Sequence, residues 1–386
     1  MRVIHYCDLT YINSTSSKGN QEKYHIDNEW IKTDYLGYEG ASEFLASEIL
    51  KCSNIKEFVP YRIEKAEIEN RHGMLQKRNI CVSKDFLLPG EEIITLEKLL
   101  RQKYGSSFEK EIQGKSIKEA ISNIVNLVEK ATGISDYGKH LTQMLEFDAF
   151  ILNEDRHSQN IAFIYGNGVY KPCPIFDNGA AFLSDTSRDY PLDEKTNKLV
   201  SFVDAKPFSS SFEKQVRACQ ELYGKQLVLN LEDMSNQISV IKSYYGERIS
   251  NRIQHVYDIQ KFKNRNLLNI KDISSEKGTK MDFIGLSQEV AQNFLLYIEN
   301  GGNVISAIIP NEFVSALKIR MSEEEIPYIV ADNTKDTVQI ITKDIYKRDF
   351  LQVQKDVFFN TNQKPSYSFE SPNVESVLEK NDDYEK

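Results

Sequence analysis

The chain has 386 residues, a formal net charge of −9 at neutral pH and a pI near 5.4. That balance excludes a protein whose main work is coating nucleic acid, because phosphate binding needs a basic footprint that releases counterions. With 40% hydrophobic and 27% charged residues, the composition is that of a globular chain large enough for two or more packed units.

In chain order, "RVIHYCDLTYI" and "KYHIDNEWIKTDY" alternate as strands do and read as a hairpin joined by the polar, small-residue stretch "NSTSSKGNQE". "EGASEFLASEILKCSNI" spaces Phe44, Leu45, Ile49 and Leu50 as an amphipathic helix does. Strand-like "FVPYRIEKAEIEN" and "RNICVSKDF" follow, ended by Pro89 and Gly90. The period then turns helical in "TLEKLLRQKY", "SIKEAISNIVNLVEKATG" and "YGKHLTQMLEFDAFIL", and again in "NQISVIKSYYGERISNRIQHVYDIQKF". A polar linker is expected at "LNIKDISSEKGTKMD". Beyond it a small α+β unit is expected: helices at "SQEVAQNFLLYIENGG", "NEFVSALKIRM" and "DIYKRDFLQV", and strands at "IPYIVAD" and "TVQIITK". The polar, acidic final two dozen residues read as disordered.

No stretch approaches the roughly 18 apolar residues that span a bilayer, and the opening "MRVIHYCDLTYINS" lacks a long apolar signal core. We therefore expect no membrane span and a cytoplasmic protein, although export by a dedicated secretion system leaves no such mark. The cysteines, Cys7, Cys52, Cys81, Cys173 and Cys219, form no C-x-x-C pair and read as reduced thiols rather than as a zinc or redox centre.

The chemistry sits between the helical blocks. Phosphoryl transfer needs a carboxylate to position the acceptor, oxygen ligands for magnesium and a cation on the donor phosphates. "NEDRHSQN" places Asp155 and Asn160 five positions apart, the interval between the catalytic Asp and the metal-binding Asn of the protein-kinase loop H-R-D-x-x-x-x-N. Further on, "PIFDNG" reads as an apolar strand ending at Asp177, in the manner of the D-F-G metal site, with Asn178 standing where that motif has Phe.

These two loops resemble those of the HipA-like kinases, in particular their shorter CtkA-like branch, whose loops read D-R-H-x-x-N and F-D-x-G. Phosphoinositide kinases share the first of these loops. The resemblance covers about residues 1 to 270 and implies a two-lobed, protein-kinase-like α+β fold. Residues 1–92 would form the nucleotide lobe and 93–270 a mainly helical lobe, followed by a small α+β accessory domain over 283–362 and a tail over 363–386. It implies a serine/threonine protein kinase using ATP and Mg2+, with Asp155 as the catalytic acid-base residue and Asn160 and Asp177 as metal ligands. Lys32, at the end of a strand, would hold the α and β phosphates, paired with Glu43; Glu39 and Glu48 are its rivals. Ser16, Ser17 and Gly19 would cradle phosphate through the loop backbone, and autophosphorylation would fall on Ser14, Thr15, Ser16 or Ser17. "CVSKDF" would be the hinge, with main-chain groups near Ser83 and Asp85 meeting adenine. His157 stands where Ser/Thr kinases carry Lys, so either its imidazole meets the γ-phosphate or it bonds the loop backbone.

The expected partners are a protein substrate with a Ser/Thr acceptor and, by the same resemblance, an antitoxin-like or other protein; direct nucleic-acid binding is not expected. Two alternatives keep the motif: a kinase acting on a lipid or small molecule, and a non-catalytic nucleotide-binding module.

Overall fold

A computed structural model describes residues 2–10, 21–231, 233–264 and 267–272, and beyond these 304–310, 314, 317–321, 326, 328–333, 337–343 and 350. The loop holding Ser14 to Gly19, the stretches "SQEVAQNFLLYIENGG" and "DIYKRD", and the acidic tail lie outside the described residues. The chain divides into two compact units, Met1–Glu276 and Lys277–Lys386.

The first unit begins with a five-stranded sheet of β1 (Arg2–Ile4), β2 (Lys23–Ile26), β3 (Glu29–Thr33), β4 (Arg62–Glu69) and β5 (Leu75–Lys84), ordered β1-β4-β5-β3-β2. β1 runs parallel to β4, and the other pairs are antiparallel. Two expected strands are broken. "KYHIDNEWIKTDY" is itself a hairpin, because Asp27 and Asn28 take φ of 50° and 64° and form a two-residue turn. Asp and Asn tolerate that region, and such a turn matches the twist of the flanking strands. "RVIHYCDLTYI" stops at Ile4, where a 3-10 turn over Tyr6–Asp8 intervenes, and pairing resumes at Leu9 opposite Tyr24. The register sets Lys32 opposite Lys23 on β2 and Cys81 on β5, so both lysines share one face of the sheet.

Helix α1 (Glu39–Lys51) packs on β3, β4 and β5. It buries Ala41, Leu45, Ala46, Ile49 and Leu50, and each large side chain stabilises the contact by about 2 kcal/mol.

The rest of this unit is mainly helical. In order come β6 (Glu92–Thr95), α2 (Leu96–Tyr104), α3 (Phe108–Ile112), α4 (Ile117–Thr132), α5 (Tyr137–Ile151), β7 (Ala162–Gly166) and β8 (Val169–Pro172). They are followed by α6 (Thr196–Val200), α7 (Phe212–Tyr223), β9 (Val228–Leu231), α8 (Ser235–Tyr245), α9 (Glu247–Lys263) and β10 (Asn269–Asp272). Thr95 caps α2, and Ser116 with Glu119 closes a capping box on α4. The long helical pattern expected near residue 250 divides into α8 and α9 at Gly246, whose φ of 83° ends the first helix.

"LNIKD", expected in a linker, is strand β10, paired parallel with β9. "PIFDNG" forms no regular strand: Ile175 makes a single bridge to Phe58, since Pro172 and Pro174 on either side of Cys173 offer no N–H to a ladder. A sheet carrying one helix, followed by a mainly helical lobe, is the two-lobed α+β architecture expected.

In the second unit β11 (Val304–Pro310), β12 (Tyr328–Asn333) and β13 (Thr337–Lys343) form an antiparallel sheet ordered β11-β13-β12, and residues 317–321 are helical. β12 and β13 match the two expected strands. β11, a short apolar run, carries no periodicity to separate it from a buried helix. Among the described residues no helix is long and apolar enough to cross a membrane.

Within the first unit, α1 is fastened to the segment that follows the D-N-G loop. Tyr38 Oη donates to the Phe182 carbonyl at 2.7 Å, Ser42 Oγ to Ala181 O at 3.0 Å, and the Tyr38 N–H to Ser184 O at 3.2 Å. A Cβ on Gly37 would lie 1.9 Å from Ser184 O, so only glycine permits this approach. On its other side α1 meets α8 through Asp34, which accepts the Gly40 N–H at 2.7 Å and Tyr245 Oη–H at 2.9 Å.

Burial pushes the Asp34 carboxyl up to about 7, with the charge of Glu39 adding to it, against the hydrogen bonds from Gly40 and Tyr245. A carboxyl raised in the folded state binds more protons there than in the unfolded chain, so its contribution to stability is greatest near pH 4 and is lost as pH rises to about 7. Denaturant unfolding between pH 4 and 8 should therefore show a decline in the wild type that Asp34→Asn flattens by a few kcal/mol, on the order of 1.4 kcal/mol per pH unit. An identical slope in the two proteins would contradict this.

Candidate active site

Lys32 reaches from β3 beneath the sheet. Its Nζ lies 2.6 Å from Glu43 Oε1 on α1 and 2.7 Å from Asp177 Oδ1. The lysine is 8% exposed and its ammonium faces the Tyr61 ring at 5.4 Å. Burial alone would lower its pKa, but the charges of Asp177 and then Glu43 hold it well above the usual lysine value. The same pairing, joined by the charge of Lys23, overcomes burial at Asp177 and keeps that carboxyl far below its ordinary range. Lys32 and Asp177 are thus a fixed pair of opposite charges.

The rivals of Glu43 are engaged elsewhere. Glu39 turns back on the loop before α1, accepting the N–H groups of Leu36 at 2.6 Å and Gly37 at 3.1 Å, and Glu48 pairs with Lys51 on the same helix. Glu43 also accepts the Asn178 N–H at 2.8 Å through Oε2, tying α1 to the D-N-G loop. Gly179 allows that contact, since a Cβ there would press to 3.3 Å from Glu39 Cβ. Asp177 itself takes φ of 59°, a left-handed conformation uncommon for a non-glycine residue and typical of constrained functional positions.

The Asp155 loop leaves α5 through Leu152, whose left-handed φ of 56° ends the helix. Asn160 Nδ2 donates to the Asp155 carbonyl at 2.7 Å, closing the loop across the five-residue interval. Its Oδ1 remains unengaged among the described residues. His157 Nδ1 accepts the Gln159 N–H at 3.2 Å, and its Nε2 stands 3.7 Å from Asp155 Oδ2. Asp155 Oδ1 faces Lys206 Nζ at 3.2 Å.

Asp155, Asn160, Asp177 and Gly179 line one narrow cleft together with Gln21, Lys23, Leu36 and Glu39. A wider groove of about 640 Å3, between α3, the start of α4 and Phe208, contains none of these groups. The acids and the amide converge instead on the narrower cleft, which holds about 30 Å3.

At the expected hinge, Ser83 is buried opposite Trp30, and Asp85 is occupied: its N–H goes to Asn28 O at 3.0 Å, Oδ1 accepts the Leu87 N–H and Oδ2 meets His25. Apolar Val59, Tyr61, Cys81, Phe86 and Phe176 cluster beside it. Ser16, Ser17 and Gly19 lie outside the described residues.

Sequence reasoning missed three contributors. Lys23 is a strand neighbour of Lys32, visible only once the Asp27–Asn28 turn is recognised. Lys206 lies 51 residues from Asp155, with no local signal. Arg156 sits inside the quoted motif but is not a surface-loop charge: it is 1% exposed and pairs with fully buried Asp148 through two hydrogen bonds, at 2.9 and 3.0 Å. It also donates to the carbonyls of Asn160 and Phe176 and to Asn178 Oδ1. Arg156→Met would strand a buried carboxylate and should cost about 3–5 kcal/mol in denaturant unfolding. A loss below about 1 kcal/mol would mean that the pair does not organise the loops.

Compared with known proteins, the sequence matches no family model and no curated protein. Among solved structures, the chain is similar to the proinflammatory kinase CtkA of Helicobacter pylori, at 16% identity over 70% of this chain and 96% of that one, with a TM-score of 0.48. It is also similar to a chain of the toxin–antitoxin complex of HipA, HipB and operator DNA from Shewanella oneidensis, at 14% identity over 65% of each chain, with a TM-score of 0.28.

Proposed function

We propose that this protein is a Mg-ATP-dependent phosphotransferase that moves the γ-phosphoryl group of ATP to a serine or threonine hydroxyl of a protein. The observation that carries this reading is the convergence of Asp155, Asn160 and Asp177 on one cleft beside the Lys32–Glu43 ion pair.

The donor set fits magnesium. Among the described residues no three acidic, histidine or cysteine side chains gather into a cage, and Mg2+ does not need one: it keeps waters and takes one or two carboxylates plus substrate phosphates. Asp177 and the Oδ1 of Asn160 are hard oxygen ligands of that kind, and when bound the ion would neutralise charge on the β and γ phosphates.

The chain's own residues do the rest. Lys32, oriented by Glu43, holds the α and β phosphates. Asp155 orients the acceptor hydroxyl and takes its proton on Oδ2, the oxygen that Lys206 leaves open. Adenine enters beside Val59, Cys81 and Phe86, reading main chain near Ser83; the Asp85 N–H is committed to Asn28 and takes no part. The loop with Ser16, Ser17 and Gly19 leads directly into β2, whose Lys23 lines the cleft, which supports phosphate contact there and self-phosphorylation on the Ser14–Ser17 stretch.

With γ-labelled ATP, Mg2+ and casein, label should enter casein or the protein itself. Asp155→Asn should lower the rate by about 10²–10⁴, while Lys32→Met and Asp177→Asn should weaken nucleotide binding and its magnesium dependence. Transfer to lipid or metabolite fractions would redirect the acceptor assignment. ATP binding without transfer to any acceptor would leave a nucleotide-binding module.

A further inference from the structure

The residue two positions after Asp155 is His157, and its ring is turned to the loop backbone, with Nδ1 at 3.2 Å from the Gln159 N–H. The reaction still concentrates negative charge at the transferring phosphoryl group, and such charge demands a positioned cation. Lys206 is the cation that faces Asp155. Its Nζ is 3.2 Å from Asp155 Oδ1, and among the described residues it is the one lysine or arginine paired with that carboxylate.

It does not hang from a loose surface turn. The Lys206 carbonyl accepts Nε2 of fully buried Gln215 at 3.0 Å, and the Ala205 N–H reaches Ser210 O at 2.8 Å. Ala205 before it is buried, and Phe208 after it packs edge-on against Phe108 at 5.5 Å. The backbone is therefore anchored on both sides while the side chain, 38% exposed, reaches Asp155, which lines the cleft. An ion pair this exposed adds little to stability, so folding gives no strong reason for this arrangement.

Resting on the phosphotransferase reading, we propose that Lys206 is a catalytic residue that supplies a cation beside Asp155, meeting the γ-phosphoryl oxygens as transfer proceeds. The acceptor oxygen forms its bond to phosphorus as the bond from phosphorus to the β–γ bridging oxygen breaks and ADP leaves. The acceptor proton passes to Asp155. Once Asp155 takes that proton its charge is gone, so the hold on the lysine weakens at the moment charge on the phosphoryl oxygens needs it.

The test compares wild type, Lys206→Met, Lys206→Arg and Lys206→Ala with γ-labelled ATP, Mg2+ and casein, alongside Asp155→Asn. Lys206→Met should lower kcat by about 10²–10³, with KM for ATP and the melting temperature unchanged. Lys206→Arg should recover much of the rate, and propylamine added to Lys206→Ala should restore part of it. Full activity in Lys206→Met overturns the proposal while leaving the phosphotransferase reading intact. So does a loss shared by KM or by thermal stability, with no rescue by Arg or amine, since that is the mark of a structural role. If wild type transfers no label and equals Asp155→Asn, the phosphotransferase reading fails and takes this proposal with it.

Discussion

The cleft depends on the buried ion pair of Asp148 and Arg156. Removing both charges from water is costly, and the pair is tolerable only because every donor of the guanidinium fork finds an oxygen in fixed geometry. Those oxygens belong to three different pieces of chain: Asp148 on α5, the Asn160 carbonyl at the end of the Asp155 loop, and Phe176 O with Asn178 Oδ1 around Asp177. One side chain thereby sets the distance between the acid at 155 and the acid at 177. Asn153 completes the arrangement by donating to Asp148 Oδ1 at 2.9 Å while its own Oδ1 accepts the Asp155 N–H at 3.3 Å.

Around that frame the cleft balances its charges locally, whatever the net charge of the chain. Asp177 and Glu43 share Lys32, Lys23 adds its field at Asp177, and Asp155 faces Lys206. An acidic protein can bind a polyanionic nucleotide when its lysines are gathered on one wall, because interactions beyond about 10 Å are screened by salt whereas contacts in a partly buried cleft are not. The neighbouring-strand register of Lys23 and Lys32 provides such a wall. The charge of −9 for the whole chain therefore describes its surface and says little about the site.

Local signals made parts of the molecule legible and left others hidden. Helices α2, α4 and α5 were readable because their apolar spacing is helical, and the five-residue interval from Asp155 to Asn160 is a local constraint that a loop must satisfy. The Asp27–Asn28 turn was written in the sequence as two residues tolerant of positive φ, yet alternating hydrophobicity on both sides masked it. The "PIFDNG" segment looked like a strand from its apolar residues, while its flanking prolines argued against a ladder. Long-range placements had no local trace. Nothing near Lys206 says that it meets Asp155, and nothing in "DRHSQN" says that Arg156 points inward, because burial of an arginine is decided by a partner on another element.

Asn178 shows how a departure from a familiar motif is compensated. Where the D-F-G pattern has a phenylalanine whose packing changes with state, this chain has an asparagine whose side-chain Oδ1 accepts from Arg156, while its main-chain N–H donates to Glu43. A ring held by dispersion can leave its pocket at modest cost, whereas a side-chain amide bonded to a buried guanidinium leaves that charge an acceptor short if it moves. Helix α1 is held on the same side by the bonds from Tyr38 and Ser42 to residues 181–184. Swinging α1 outward would therefore break the Asn178 contact and the carbonyl contacts together, in a region with little access to water. The Lys32–Glu43 pair is accordingly preset by the fold, since the helix that carries Glu43 is bonded at several points to the segment after Asp177.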